Sequence, residues 1–332
     1  MPLYQGHSLH KPITDNKVTK SQEVNPMPKK NLRKRIWQAR ELYLLALLPF
    51  IWLIVFKYVP MAGLQIAFRD YSFRDGIWGS EWVGLENFKN FISDRQFTRL
   101  LVNTLRISLY STTIGSLIPV ILALTINIMK PGLYKKAVQM ILYVPHFISV
   151  VILVGMLMQL INPIIGLYGT IAQALTGSRP ADILSIPSAF PHIYIWSGIW
   201  QNAGWSSIIY VAALANSDQE LHEAAQIDGA TRLQRVWHID IPTILPTFII
   251  LMIMDVGSIM DVGFEKVFLL QNSANLSYSQ VLSTYVYEKS FGSGLPDFSF
   301  STAAGLFNSV INVILITIVN KISKKVSDTS LW

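Results

Sequence analysis

Apolar residues in this chain come in long unbroken runs, not in the alternation of strands or the stripes of amphipathic helices. Six runs stand out: Leu42–Val59, Asn103–Met129, Val138–Asn162, Pro191–Asn216, Ile244–Leu270 and Ser301–Asn320. Each is long enough to cross a hydrocarbon core of about 30 Å at about 1.5 Å per residue. Backbone groups in lipid need partners within their own segment, so each run is expected to be a helix. The pattern predicts an all-α integral membrane protein with six transmembrane helices. Formal charges inside the runs are few. Lys57 lies near the outer end of the first, where it can snorkel, and Arg106 lies near the start of the second. Asp255, Asp261, Glu265 and Lys266 fall in the fifth.

These runs divide the chain. Residues 1–41 read as a cytosolic basic tail, and 42–100 as the first transmembrane helix with its outer loop. Residues 101–325 form a five-helix core containing a polar loop at 217–242, and 326–332 a short cytosolic end. A cleaved secretory signal is the rival reading of the first run, but the tail ahead of it is too long. Val59-Pro60-Met61 also does not fit a small-residue cleavage site.

Composition agrees. The chain is 51% hydrophobic and 14% charged, against about a quarter charged in a soluble domain. The net charge of +7 does not point to nucleic acid, because the basic residues sit at the ends of apolar runs. Lys29, Lys30, Arg33, Lys34, Arg35 and Arg40 precede the first run; Lys321, Lys324 and Lys325 follow the last. With both termini placed inside, the inner segments hold seventeen Lys and Arg residues and the outer segments eight. This asymmetry predicts both termini, and with them the 217–242 loop, on the cytoplasmic side. No cysteine is present, which excludes disulfides, zinc ribbons and thiol nucleophiles.

The polar loop carries the most local information. Ser217-Asp218-Gln219-Glu220 has the form of a capping box, and Thr231-Arg232-Leu233-Gln234 offers a second. Between them Gly229 can take the left-handed conformation that ends helices. The expected structure is helix, glycine turn, helix, with Ala224 and Ala225 leaving room for another surface. His222-Glu223-Ala224-Ala225-Gln226 comes close to the zinc motif H-E-x-x-H but lacks the second histidine, so no metal site is expected. No catalytic residue is assigned either.

Glu223-Ala224-Ala225, three residues, Gly229, nine residues, then Ile239-x-Ile241-Pro242 resembles the EAA loop of permease subunits in maltose-type, binding-protein-dependent ABC sugar importers. Ile241 stands where that pattern has leucine. Val83-Gly84-Leu85-Glu86-Asn87-Phe88 ahead of Asn103-Thr104 is similar to the segment before the core of those permeases. The tracts GFEKVFLLQN, LSTYVYEKSFG and FSFSTAAGLFNSVIN look like the subgroup for complex oligosaccharides, some containing uronates. The resemblance implies a type I ABC importer permease fold in a bacterial inner membrane. It also implies a related second permease as heterodimer partner, an ATPase dimer, an extracytoplasmic solute-binding protein and an oligosaccharide substrate. Glu223, Ala224, Ala225, Asp228, Gly229 and Arg232 would then meet the ATPase. No Walker sequence occurs here, so ATP and Mg would be bound by that partner and no cofactor by this chain.

The substrate pathway is less legible. Asp255 and Asp261 are acids within a span, where burial is costly and commonly functional. Six residues of helix would point them about 120° apart. Asp255 faces a pore or partner, or makes a structural hydrogen bond. Asn308 and Asn312 either bind sugar hydroxyls or join helices. Trp200 and Gln201 offer a stacking ring and a hydrogen-bonding amide, although tryptophan is common near membrane interfaces. His146, after Pro145, reads as a packed kink or a proton relay. The alternative function is a secondary transporter or channel for polar solutes, which would need charge relays or inverted repeats not evident here.

Overall fold

A computed structural model describes residues 37, 39–292, 294–327, 330 and 331. Most of the basic tail, including Lys29, Lys30, Arg33, Lys34 and Arg35, therefore lies outside the described residues, as does part of the 326–332 end. The chain divides into two units, Met1–Met61 and Ala62–Trp332. In the first unit, α1 (Arg40–Leu53) continues through a π turn at Ile54–Tyr58, with no residue buried. A helix with this much exposed leucine suits a hydrocarbon surrounding, since in water such a patch would be an association site.

The second unit starts with a 3-10 helix, Ala62–Phe68, which leads into a small hairpin, β1 (Arg69–Asp70) paired antiparallel with β2 (Glu81–Trp82). Side chains fix it: Arg69 Nη1 donates to the Ser80 carbonyl at 2.7 Å, and Asn87 Nδ2 donates to the carbonyls of Ala67 and Arg69. Helix α2 (Glu86–Ile92) follows, then α3 (Phe97–Ile128), whose 32 residues extend about 48 Å. Next come α4 (Leu133–Tyr143), α5 (Val150–Leu160) and, after a short connecting helix at Leu167–Thr176, α6 (Phe190–Ala215). The polar loop holds α7 (Gln219–Ile227) and α8 (Arg232–Arg235), and α9 (Ile241–Gly257) leaves it. Then follow α10 (Phe264–Leu270), a single helical turn at Leu276–Ser279, α11 (Leu282–Phe291) and α12 (Phe298–Ser327).

Four helical stretches are long and apolar enough to cross a membrane: Arg40–Phe68, Phe97–Ile128, Arg232–Gly257 and Phe298–Lys325. Counting α4 and α5 as one broken span gives five. Helix α6, at 26 residues, has the length, but Gln201, Asn202 and its serines lower its hydropathy. Six spans are compatible with this arrangement.

Two of the six runs are not single helices. Val138–Asn162 bends by 100° between α4 and α5. Pro145 sits in the intervening 3-10 turn, Val144–Phe147, and Ser149 starts α5 by accepting from the Ile152 amide. Proline cannot continue the helical ladder, and a capped serine begins a new one. Ile244–Leu270 likewise breaks: α9 ends at Gly257 and α10 begins at Phe264. At its other end this helix begins earlier than the run, because α8, a π turn at Val236–Asp240 and α9 form one 26-residue stretch.

The interior of the second unit is held by three apolar clusters. Phe91, Leu100, Met260, Tyr285 and Phe300 join α2, α3, α11 and α12. Ile107, Val154, Phe190 and Val267 join α3, α5, α6 and α10. Ala123, Tyr210, Leu214 and Ile244 tie the far end of α3 to α6 and α9, beside the polar loop.

Candidate functional site

Local chemistry shapes the loop. Helix α7 starts one residue later than the first capping box implies: Asp218 Oδ1 accepts from the Glu220 amide at 2.9 Å, while Ser217 Oγ donates back to the Leu214 carbonyl. Two adjacent cap-forming residues competed, and the carboxylate took the role. The helix ends in a Schellman motif. The Ala230 amide donates to the Ala225 carbonyl at 2.8 Å and the Gly229 amide to Gln226 at 3.2 Å, with Gly229 at φ +80°. The second box is complete, the Gln234 amide donating to Thr231 Oγ1 and the Thr231 amide to Gln234 Oε1.

The loop is anchored from beneath. His222 Nε2 lies 3.3 Å from Asp240 Oδ1, and Asn127 Nδ2, at the end of α3, donates to the same oxygen at 3.2 Å. Asp240 is 2% exposed, so its carboxylate joins α7, α3 and the base of α9 in the interior. Sequence reading passed over this trio: His222 was weighed only as half of a zinc motif, and its partner lies 18 positions on.

The outer side of the loop is open. Glu223, Ala224, Asp228, Gly229 and Arg232 are exposed and Ala225 is half-buried. Around them stand bare apolar side chains, with Ile227 87% and Leu233 66% exposed. A polar loop that shows isoleucine and leucine to this extent has the make-up of an interface core with a charged rim.

The proposed pathway residues fall into different places. Asp261 lies beyond the end of α9, so the 120° separation expected from a continuous helix does not apply. Its carboxylate accepts from Asn308 Nδ2 at 2.7 Å and Asn312 Nδ2 at 2.9 Å. Asn312 Oδ1 in turn accepts the Met260 amide. These three residues clamp the helix break to α12. Asp255 and Asp261 also line a cavity of about 250 Å3 with Ser108, Ser111, Thr112 and Ser258. A second cavity, of about 420 Å3, shares Ser111, Gly115, Tyr194 and Gly263 with the first and adds Gln201, Asn202 and Lys266. Gln201 is buried and donates to the Ile148 carbonyl at 2.7 Å. Trp200 turns elsewhere, into an apolar depression with Trp196, Leu153 and Leu157. His146 stacks flat on Trp205 at 4.6 Å and meets Asn202 Oδ1 at 3.0 Å, the geometry of a packed kink.

Apolar helices enclosing polar cavities, with a capped helix pair running straight into one of them, define the core of a multi-pass membrane permease. Residues 115–328 match the family of binding-protein-dependent transport system inner membrane components, and the chain belongs to that family. It is a transport subunit with a type I permease fold, not an enzyme, and it works with a solute-binding protein. Over 88% of its length it is 41% identical to protein LplB of Bacillus subtilis, covering 91% of that protein. It is 39% identical to YteP of the same organism, a polygalacturonan/rhamnogalacturonan transport system permease, over 92% of this chain and 95% of that one. Its fold matches a chain of a bacterial alginate ABC transporter in complex with alginate pentasaccharide-bound periplasmic protein. The TM-score is 0.81 at 36% identity, covering 90% of this chain and 99% of that chain. Family membership favours the importer over the secondary transporter or channel.

Proposed function

We propose that this chain is one permease of an ATP-driven importer of oligosaccharides, uronate-containing ones among them, delivered by an extracytoplasmic solute-binding protein. A related second permease completes the pathway as a heterodimer, and an ATPase dimer docks on the loop at Glu223, Ala224, Ala225, Asp228, Gly229 and Arg232. ATP and Mg belong to that ATPase, and this chain holds no cofactor. Both termini and the loop then lie in the cytoplasm.

The observation that carries this reading is the loop itself: a rigid, doubly capped helix pair, anchored beneath by Asp240 and apolar above. Force applied to α7 passes through His222 and through the continuous Arg232–Gly257 helix to the cavity walls. Support for an acidic saccharide comes from the polygalacturonan and alginate systems that the chain resembles. The test is reconstitution in proteoliposomes with the neighbouring permease, ATPase and binding protein. Trigalacturonate or an alginate oligosaccharide added with the binding protein is expected to stimulate ATP hydrolysis. No stimulation by any saccharide, with the ATPase failing to co-purify, would overturn the reading.

A further inference from the structure

The second cavity contains a charge that no described residue pairs with. Lys266, on the first turn of α10, is 7% exposed. Its Nζ donates to the Tyr194 carbonyl at 2.8 Å and stands 4.9 Å from the centre of the Tyr194 ring. Among the described residues the one ion pair is His222 with Asp240, so no described carboxylate reaches this ammonium. Glu265, its neighbour, lines the same cavity but is exposed and makes no ion pair. An ammonium has three donors, and the described bonds use one. Gly198 packs directly beside it; a Cβ there would lie 3.2 Å from Nζ, so the glycine leaves room for the ammonium.

Charges within a membrane protein are expensive and are kept where they face a partner or a pathway. A purely structural tie between α10 and α6 would need only a neutral donor to the Tyr194 carbonyl. What Lys266 adds is a positive charge at the edge of a cavity whose lining includes the neutral hydrogen-bonding groups of Ser111, Gln201, Asn202 and Ser206; the carboxylate on its rim, Glu265, is exposed. Amides and hydroxyls there can meet sugar hydroxyls, and the ammonium can meet an anionic substituent on the same ring.

We infer that Lys266 is a specificity-determining residue, the group in the translocation cavity that recognises the carboxylate of a uronate. This rests on the oligosaccharide reading above and deepens it, by assigning acid recognition to the permease as well as to the delivering protein. Lys266 escaped the sequence reading because it appeared as a charge at the end of a span. The helix break at 258–263 turns it back inward.

The test is equilibrium binding of two probes to the purified permease–ATPase complex without binding protein: trigalacturonate and the neutral trisaccharide made by reducing its carboxyls. The native complex is expected to bind the acidic probe at least tenfold more tightly. Lys266→Met, close in volume, should erase that preference by weakening the acidic probe alone, and Lys266→Arg should retain it. Thermal stability and basal ATP hydrolysis of each variant report on folding. A preference that survives Lys266→Met, an equal loss for both probes, or a native complex without preference would each overturn the assignment. The importer reading is judged separately, on saccharide-stimulated ATP hydrolysis with the binding protein present.

Discussion

His222 on the loop helix α7 and Asp240 at the base of α9 are joined at 3.3 Å, across 18 positions of sequence. Asn127 from α3 shares the same carboxylate oxygen. Three elements therefore meet at one buried acid, and α7 cannot tilt without disturbing it. Asp240→Ala removes the acceptor for both partners, a loss of about 1–3 kcal/mol for groups left unsatisfied. Amide exchange in residues 219–227 is expected to quicken by about fivefold to a hundredfold. Hydrogen exchange in detergent or nanodiscs measures this, and unchanged protection would show that the pair does not hold α7.

Gly229 sits at φ +80° with open space around its α-carbon. A side chain there meets no neighbour, so the cost is backbone strain alone, about 1–2 kcal/mol for most residues. Gly229→Asp adds a negative charge at the exposed turn beside Asp228 as well. The expected outcome is a normal amount of permease in the membrane with uptake lost and ATPase co-purification reduced. Wild-type uptake in this variant would remove the loop from the docking interface.

How legible such features were in the sequence depended on range. The Thr231–Gln234 box and the Gly229 turn were readable because the groups involved lie within a few residues of one another. Ser217 and Asp218 both suit a cap, and only the folded chain shows which one bonds. Pro145 marked a kink at 144–149 but not the size of the bend, and the break at 258–263 was hidden because hydropathy does not register a change of direction. The β1–β2 hairpin was hidden for a different reason: two-residue strands have no period to detect, and this one is held by Arg69 and Asn87. The Asp240 trio and the Lys266 environment are contacts between distant segments, where a single sequence carries no local signal.

Tyr285 on α11, outside the spanning helices, donates its hydroxyl to Asp94 Oδ2 at 2.8 Å. Burial, then the bond to Asp94 and the charges of Asp94 and Glu288, raise its phenol above the ordinary value of 10.0. A raised acid stays protonated in the folded protein after the unfolded phenol ionises. Its stabilising contribution is thus intact below about pH 10 and declines as pH climbs from there toward the raised value. Tyr285→Phe is expected to cost about 0.5–1.5 kcal/mol at neutral pH and to flatten the alkaline fall in stability. Unfolding midpoints of the detergent-solubilised protein at pH 8 to 11 give the comparison; parallel curves for the two proteins would contradict it.

The Asp261 clamp makes the most exacting prediction, because two amides and one acid act together. Asn312 is 8% exposed; its amide donates to Asp261 and its carbonyl accepts from Met260. Asn312→Leu leaves a buried amide without an acceptor and a carboxylate with one partner fewer, each costing about 1–3 kcal/mol. Asn308→Ala removes only the second donor to Asp261 and is expected to cost less. If the three form one unit, Asp261→Ala should add little to Asn312→Leu, because the bond is already gone. The double-mutant cycle would then show a coupling of about 0.5–3 kcal/mol, measured as unfolding midpoints in detergent. Additive effects would mean that Asp261 is held by something other than these amides, and would leave its carboxylate free to serve the cavity it lines.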